Sequence, residues 1–141
     1  MPNPPVEKLL EIYRDTKTIA VVGASGDERK PGQSIPAYLQ SQGYRIIPVS
    51  PKGGEILGEK VYTSLREIPD PVDVVQVFRP SEETPAIAAE AVAIGAKVLW
   101  LQSTISSEEA ERIARAGGLE VVMDRCMGVT HRDLGLGPGP D

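Results

Sequence analysis

Short β-branched apolar runs alternate along this chain with longer stretches in which apolar residues recur every three or four positions. That is the pattern of a parallel sheet covered by helices on both faces. Five runs read as strands: Thr18 to Gly23 (TIAVVG), Tyr44 to Ser50 (YRIIPVS), Val72 to Phe78 (VDVVQVF), Lys97 to Gln102 (KVLWLQ) and Leu119 to Met123 (LEVVM). Between them, Ser34 to Gln42 sets Ile35, Tyr38 and Leu39 on one helical face and stops at Gly43. A second helix starts at Glu82 or at Pro85, since Ser81 and the Thr84-Pro85 pair both read as caps, and runs to Ile94 before Gly95. The third covers Ser107 to Ala116, with Ser106 and Glu109 in capping-box spacing and Gly117-Gly118 closing it. Residues 6–16 predict an N-terminal helix that turns Val6, Leu9, Leu10 and Tyr13 toward the sheet edge, and Leu65 with Ile68 suggests one short helical turn.

Repeated β-α-β units with right-handed crossovers follow from this alternation. Two strand orders fit, 3-2-1-4-5 and 2-1-3-4-5, and both open a crevice beside the carboxyl end of the first strand, where ligand chemistry is expected. The chain of 141 residues reads as a single domain without internal repeats, long enough to bury roughly 70% of its unfolded surface without disulfides or a structural metal. Its Gly/Pro-rich tail, residues 134–141 (LGLGPGPD), predicts poor order unless docked.

Charge narrows the ligands. Fifteen Lys and Arg against 20 Asp and Glu leave a net charge of -5, which argues against nucleic acid or an anionic membrane surface as partner. Any phosphate site must be local. No apolar run reaches the ~20 residues of a membrane span and the start, MPNPPVEKLL, lacks a leader pattern, so the expected location is cytoplasmic. The single cysteine, Cys126, leaves no pair for a disulfide or a zinc site, and no cluster has metal-ligand spacing.

The strongest local signal is Ile19 to Ser34, IAVVGASGDERKPGQS: a buried strand, glycines at Gly23, Gly26 and Gly32, then the start of a helix. Glycines allow close backbone approach to a ligand, and a helix start offers unpaired N–H groups to a phosphate. The spacing misses both G-x-G-x-x-G, because Ser25 stands at its second glycine, and the P-loop, because five residues separate Gly26 from Gly32 and Gln33 replaces the lysine. After the second strand stand Ser50, Pro51 and Lys52, where NAD binders place an acid for the ribose hydroxyl. A hydroxyl and an ammonium suit a ribose phosphate instead, and Arg29 with Lys30 adds charge to the same mouth. NADP and coenzyme A both carry such a phosphate and the pattern does not choose between them; a plain solvated turn also remains open.

At this point the sequence resembles the stand-alone CoA-binding proteins, which are similar to the N-terminal CoA-binding domain of the succinyl-CoA synthetase alpha subunit. The likeness spans about Leu9 to His131 and is carried by IAVVGAS at Ile19 to Ser25, KPG at Lys30 to Gly32, YLQSQGY at Tyr38 to Tyr44, IPVSP at Ile47 to Pro51, EILGEKVYTSL at Glu55 to Leu65, VDVVQVFRP at Val72 to Pro80, GAKVLWLQ from Gly95, and VVMDRC at Val121 to Cys126. It implies an α/β, Rossmann-like three-layer sandwich with a five-stranded parallel sheet in the order 3-2-1-4-5. Coenzyme A or an acyl-CoA would lie at the carboxyl ends of the strands. Gly23, Ala24 and Ser25 would approach the phosphates, Arg29, Lys30, Gly32, Gln33 and Ser34 would complete the cradle, and Lys52 would face the nucleotide phosphates beside Ser50 and Pro51. Phe78, Arg79 and Pro80 would pass the adenine and pantetheine, with Gln102 and Ser103 placed to hydrogen-bond the pantetheine amides. The synthetase's second domain, which carries a phosphorylated histidine, has no counterpart in these residues, so the resemblance implies binding and no ligase activity. An NADP-dependent oxidoreductase and a CoA-responsive regulatory subunit are the alternative functions, with no protein partner named by the sequence.

Candidate chemistry elsewhere is thin. Cys126 and the sole histidine, His131, lie five apart, and such a pair can activate a thiolate; the plainer expectation is that Cys126 packs after the last strand and His131 lies exposed in the tail. Asp124 and Arg125 read as a local ion pair or cap, Glu82-Glu83 and Glu108-Glu109 as first-turn acids that complement helix dipoles, and Trp100 as core. No catalytic residue is assigned.

Overall fold

A computed structural model describes residues 3–139. The helices are α1 (Val6–Asp15), α2 (Pro31–Ser41), α3 (Thr84–Ala93), α4 (Glu108–Ala116) and α5 (Met127–Asp133). The strands are β1 (Thr18–Val22), β2 (Arg45–Val49), β3 (Glu55–Ile56), β4 (Glu59–Lys60), β5 (Val74–Val77), β6 (Val98–Leu101) and β7 (Glu120–Val122). Five of these form one parallel sheet in the order β2-β1-β5-β6-β7, and β3 with β4 makes a small antiparallel hairpin. Counting only strands of the large sheet, the order is 2-1-3-4-5. The expected 3-2-1-4-5 order is therefore corrected: β5 pairs with β1 through Ile19↔Val74 to Val22↔Val77, on the side of β1 away from β2. β2 is an edge strand, where Pro48 removes no required ladder donor, and residues Val61 and Tyr62 run beside it through the Val49↔Tyr62 bridge.

β5 and β6 are buried at every position, as strands covered on both faces must be. On one face Ala20, Val75, Val77, Leu99 and Leu101 pack against Ile87, Ala88 and Ala91 of α3 and Ala110 and Ala114 of α4. On the other Ile19, Val21, Val74, Val98 and Trp100 pack against Leu9, Ile12 and Tyr13 of α1, Leu39 of α2 and Met127 of α5. α1 thus lies on a sheet face, not at the edge: Tyr13 stacks edge-on against Trp100 at 5.6 Å, while Val6 and Leu10 face solvent. Trp100 is core, as expected, and its indole N–H donates to the Arg125 carbonyl at 2.7 Å.

Helix boundaries show which cap prevails. α4 is capped by Ser107, whose hydroxyl accepts from Ala110 N–H at 3.1 Å, one residue beyond the expected Ser106. Ser106 is held in the preceding loop, its N–H bonded to the Ser81 hydroxyl. The ambiguous start at Ser81 to Pro85 resolves into a 3-10 turn (Ser81–Glu83) feeding α3, and Leu65–Glu67 forms the short turn expected near Leu65. The tail is docked as far as it is described: Leu134 and Leu136 pack on the core and Gly139 N–H donates to the Gln42 carbonyl at 2.8 Å, with 140–141 outside the described residues.

α5 was not anticipated, and it overturns the exposed placement of His131. That side chain is fully buried, its Nδ1 bonded to the Tyr38 hydroxyl at 2.8 Å and its ring edge-on to Tyr13, Tyr38 and Tyr44 at 5.5 to 5.7 Å. Short residues let the layers meet: a Cβ on Gly128 would stand 3.1 Å from Ile35 of α2, and one on Gly117 only 2.5 Å from Val92 of α3. Asp124 does not pair with Arg125; its carboxylate accepts from Thr104 N–H at 2.6 Å.

Two outcomes follow. Gly117→Ala overpacks the α3–α4 contact and should cost about 1–3 kcal/mol in chemical denaturation, part of which Val92→Ala restores in the double variant. For His131, burial holds the pKa below its ordinary value of 6.5. The unfolded chain then takes up a proton the native state refuses, so stability is unaffected above about pH 6.5 and falls as pH drops below it, toward the folded value. Melting temperature measured from pH 7.5 to pH 5.5 should decline in the native protein and stay flatter in His131→Gln; identical slopes would remove His131 as the cause.

Candidate functional site

β1 ends at Val22 and the chain turns on Gly23 at φ +89°, in the left-handed region that favours glycine. There is also no room for a side chain, since a Cβ would lie 3.0 Å from Arg79 Cδ and 3.1 Å from the Phe78 carbonyl. The loop then folds back on itself: Ser25 N–H donates to the Gly32 carbonyl at 3.2 Å, and a Cβ on Gly32 would strike the Gly23 carbonyl at 2.7 Å. Asp27 organises the excursion between them, accepting from Arg29 Nε and backbone N–H, and these bonds hold its carboxyl below the usual carboxylate range. α2 starts at Pro31, three residues earlier than the sequence indicates, so Gly32, Gln33 and Ser34 form its first turn, with no side chain capping it. Proline at this position is already set for helix and lacks the N–H that would need a partner.

The loop is one wall of a cleft of about 1280 Å³ at the carboxyl ends of β1, β2, β5 and β6. Small-molecule sites usually span about 300–1,000 Å³, so this one has room for a long ligand. Twelve of the sequence-predicted residues line it: Gly23, Ala24, Ser25, Lys30 and Gly32 from the loop; Ser50, Pro51 and Lys52 after β2; Phe78 and Arg79 after β5; Gln102 and Ser103 after β6. Arg29, Gln33, Ser34 and Pro80 are not among the lining residues. Arg29 points its guanidinium to Asp27, making a pair with one partner strongly exposed, and so does not add to the cleft's charge as expected.

Sequence reasoning missed both flanks. Toward α3 the lining includes Leu65, Ile87, Glu90 and Ile105; toward α2 and α5 it includes Ile35, Ile56, Cys126 and Val129. The helical period of Ile35 and Ile87 marks them as inward-facing but cannot say that their helices lean over a cleft. Val129 needed α5, whose seven residues are too short to show a period.

Electrostatics are mixed. Lys30, Lys52 and Arg79 face Asp27, Glu55, Glu83 and Glu90. Arg79 forks onto Glu83 at 3.0 and 2.8 Å, which holds the Glu83 carboxyl low and spends the Arg79 charge. Lys30 and Lys52 make no ion pair among the described residues, so they are the cations available to an anion. Beneath the cleft, Gln76 Nε2 donates to Gln102 Oε1 at 3.1 Å, and Met127 N–H donates to the same oxygen at 3.1 Å. Cys126 is half-buried, its Sγ accepting from Val129 N–H at 3.5 Å, and His131 lies outside the lining, bonded to Tyr38, so the two do not form a thiol–imidazole pair. No group of three His, Cys, Asp or Glu among the described residues can hold a metal ion, and no described helix is long and apolar enough to cross a membrane.

The chain is 40% identical over 131 residues to the protein YneT of Bacillus subtilis, covering 93% of this chain and 97% of that one. It is 33% identical over 138 residues to the alpha subunit of the ADP-forming acetate–CoA ligase I of Pyrococcus furiosus, covering 86% of this chain and 30% of the subunit, so it spans under a third of that relative. A solved structure from Thermus thermophilus superposes with a TM-score of 0.89 at 38% identity, covering 93% of this chain and 99% of that one. Residues 17–132, which contain every wall of the cleft, match the family described as CoA binding domain, and the chain belongs to that family.

Proposed function

We propose that this protein binds coenzyme A or an acyl-CoA in the cleft at the carboxyl ends of its strands, and carries out no reaction on it comparable to a ligase. The observation that carries this reading is the coincidence of the family match with a cleft of about 1280 Å³ lined by the glycine loop, Lys30 and Lys52. The residues fit the group. Gly23 and Gly32 press the loop backbone together so tightly that no side chain can intrude, which leaves main chain and the uncapped start of α2 facing the cleft. Pro31 has no N–H and the Gln33 and Ser34 N–H groups bond the Lys30 carbonyl, so the start of this 11-residue helix attracts phosphate through its dipole, at Gly32 in the lining.

Lys30 and Lys52 supply the charge for the diphosphate and the ribose phosphate, with Ser25 and Ser50 offering hydroxyls beside them. Phe78 and Pro51 give apolar surface for the adenine, and Gln102 and Ser103 face the pantetheine. Of the four acids in the lining, Asp27 and Glu83 are already engaged by Arg29 and Arg79, which leaves Glu55 and Glu90 opposite Lys30 and Lys52. A cytoplasmic location, where CoA and its esters are used, accords with this role.

With CoA at about 100 times its dissociation constant the native state gains about 2.7 kcal/mol, which raises the melting temperature of a chain this size by about 9 °C. NADP should produce a much smaller shift. Absence of both heat in calorimetric titration and a thermal shift with CoA would refute the reading. Lys52→Glu should weaken CoA by at least about tenfold, a change of ~1.4 kcal/mol, while the ligand-free melting temperature stays within error, because Lys52 is exposed and makes no ion pair. Unchanged affinity would take Lys52 out of the site.

A further inference from the structure

The end of β6 brings a hydrogen-bond donor and a thiol to the same corner of the cleft. Gln102 is only 4% exposed, and its amide has one possible orientation. The atom 3.1 Å from Met127 N–H must be an acceptor, since a backbone N–H can only donate, so Oε1 points into the protein and also takes the Gln76 bond. Nε2 is left facing the cleft: it makes no hydrogen bond among the described residues, yet it is not sealed from the cleft surface. Held by two bonds on its inner oxygen and unpartnered on its outer nitrogen, this amide is set to donate to an acceptor that arrives with a ligand. Cys126, the residue preceding Met127, lines the same cleft with its thiol half-buried. The Met127 N–H bond to Gln102 therefore fixes the thiol relative to the donor.

This step rests on the CoA reading above. The phosphates of CoA are served by Lys30, Lys52 and the Gly23 to Gly32 loop. Among the neutral acceptors of CoA, the carbonyls of the pantetheine arm match an amide donor placed at the end of β6 beside Cys126, and that arm ends in a thiol. We propose that Cys126 is a thiol-exchange site that captures CoA covalently from CoA disulfide, with Gln102 as the positioning residue that holds the pantetheine carbonyl.

In the exchange the Cys126 thiolate attacks one sulfur of CoA disulfide. The bond between the two CoA sulfurs breaks, a bond forms between Sγ and one CoA sulfur, and the second CoA leaves as thiolate. The proton lost by Cys126 goes to solvent or to the departing thiolate. One disulfide is exchanged for another, so no further oxidant enters.

The test uses the full reduced chain with CoA disulfide and, separately, glutathione disulfide, followed by intact mass against time. The expected result is a single CoA adduct that maps to Cys126, is released by dithiothreitol, and forms at least tenfold faster than the glutathione adduct. Cys126→Ser should give none. Gln102→Glu, which keeps the inward acceptor but turns the outward donor into an acceptor, should slow CoA capture several-fold while the glutathione rate holds. Equal rates for the two disulfides in the native protein, with CoA binding intact by calorimetry, would overturn the exchange site and leave the binding reading standing. Equal rates without any CoA binding would overturn both.

Discussion

Two-sided burial of the parallel sheet is the constraint on which the rest of this protein depends. Every side chain of β5 and β6 is inside, so helices must cover both faces and the sheet can present polar chemistry only where its strands end. The exceptions prove informative. Gln76 and Gln102 are the polar groups set into these two strand paths, and they bond each other and then Met127 of α5. A core that must be dry next to a cleft that must be wet is thus joined by one chain of amides. That chain ends at the cleft surface because Met127 N–H fixes which end of Gln102 points inward.

The second layer of order comes from aromatic packing on the α1, α2 and α5 face. Tyr13, Tyr38 and Tyr44 enclose His131, and Tyr13 also donates to the Met127 carbonyl at 2.7 Å. Burial pushes the Tyr44 hydroxyl up to about 12 and the Tyr13 hydroxyl higher still, so both remain donors at any physiological pH. These bonds pin α5 from its start to its middle against helices from the other end of the chain. The wall bearing Cys126 and Val129 is consequently held from behind, and not by the cleft it lines.

Much of this was legible in the residues. Short β-branched apolar runs located all five strands of the large sheet, because burial on both faces removes polar positions, and apolar recurrence every three or four residues located four of the five helices to within a few positions. Strand order was less legible: whether β5 joins β1 or lies beyond β2 is decided by the path of a crossover, and a run such as Val74 to Val77 is equally apolar in either place. The glycine loop is legible as a wall of the cleft, since Gly23 and Gly32 allow its close backbone contact, but only the fold reveals that Arg29 bends back to Asp27 while Lys30 lines the cleft. His131 went astray because a lone histidine before a Gly/Pro-rich tail carries no period; its burial depends on three tyrosines distant in sequence.

A net charge of -5 and the proposed phosphate site are compatible for a reason the structure makes specific. Local pairing neutralises the acids that stand nearest the loop: Arg29 takes Asp27, and Arg79 takes Glu83. What an incoming phosphate meets is therefore set by the groups of the lining without an ion pair among the described residues, the cations Lys30 and Lys52 and the acids Glu55 and Glu90. Solvent screens the remaining surface acids over about 8–10 Å at physiological ionic strength, whereas contacts inside the cleft are screened less. On the proposed reading, a small phosphorylated ligand would need only these two lysines and the main chain of one loop, where a polyanion would have to engage many charges at once.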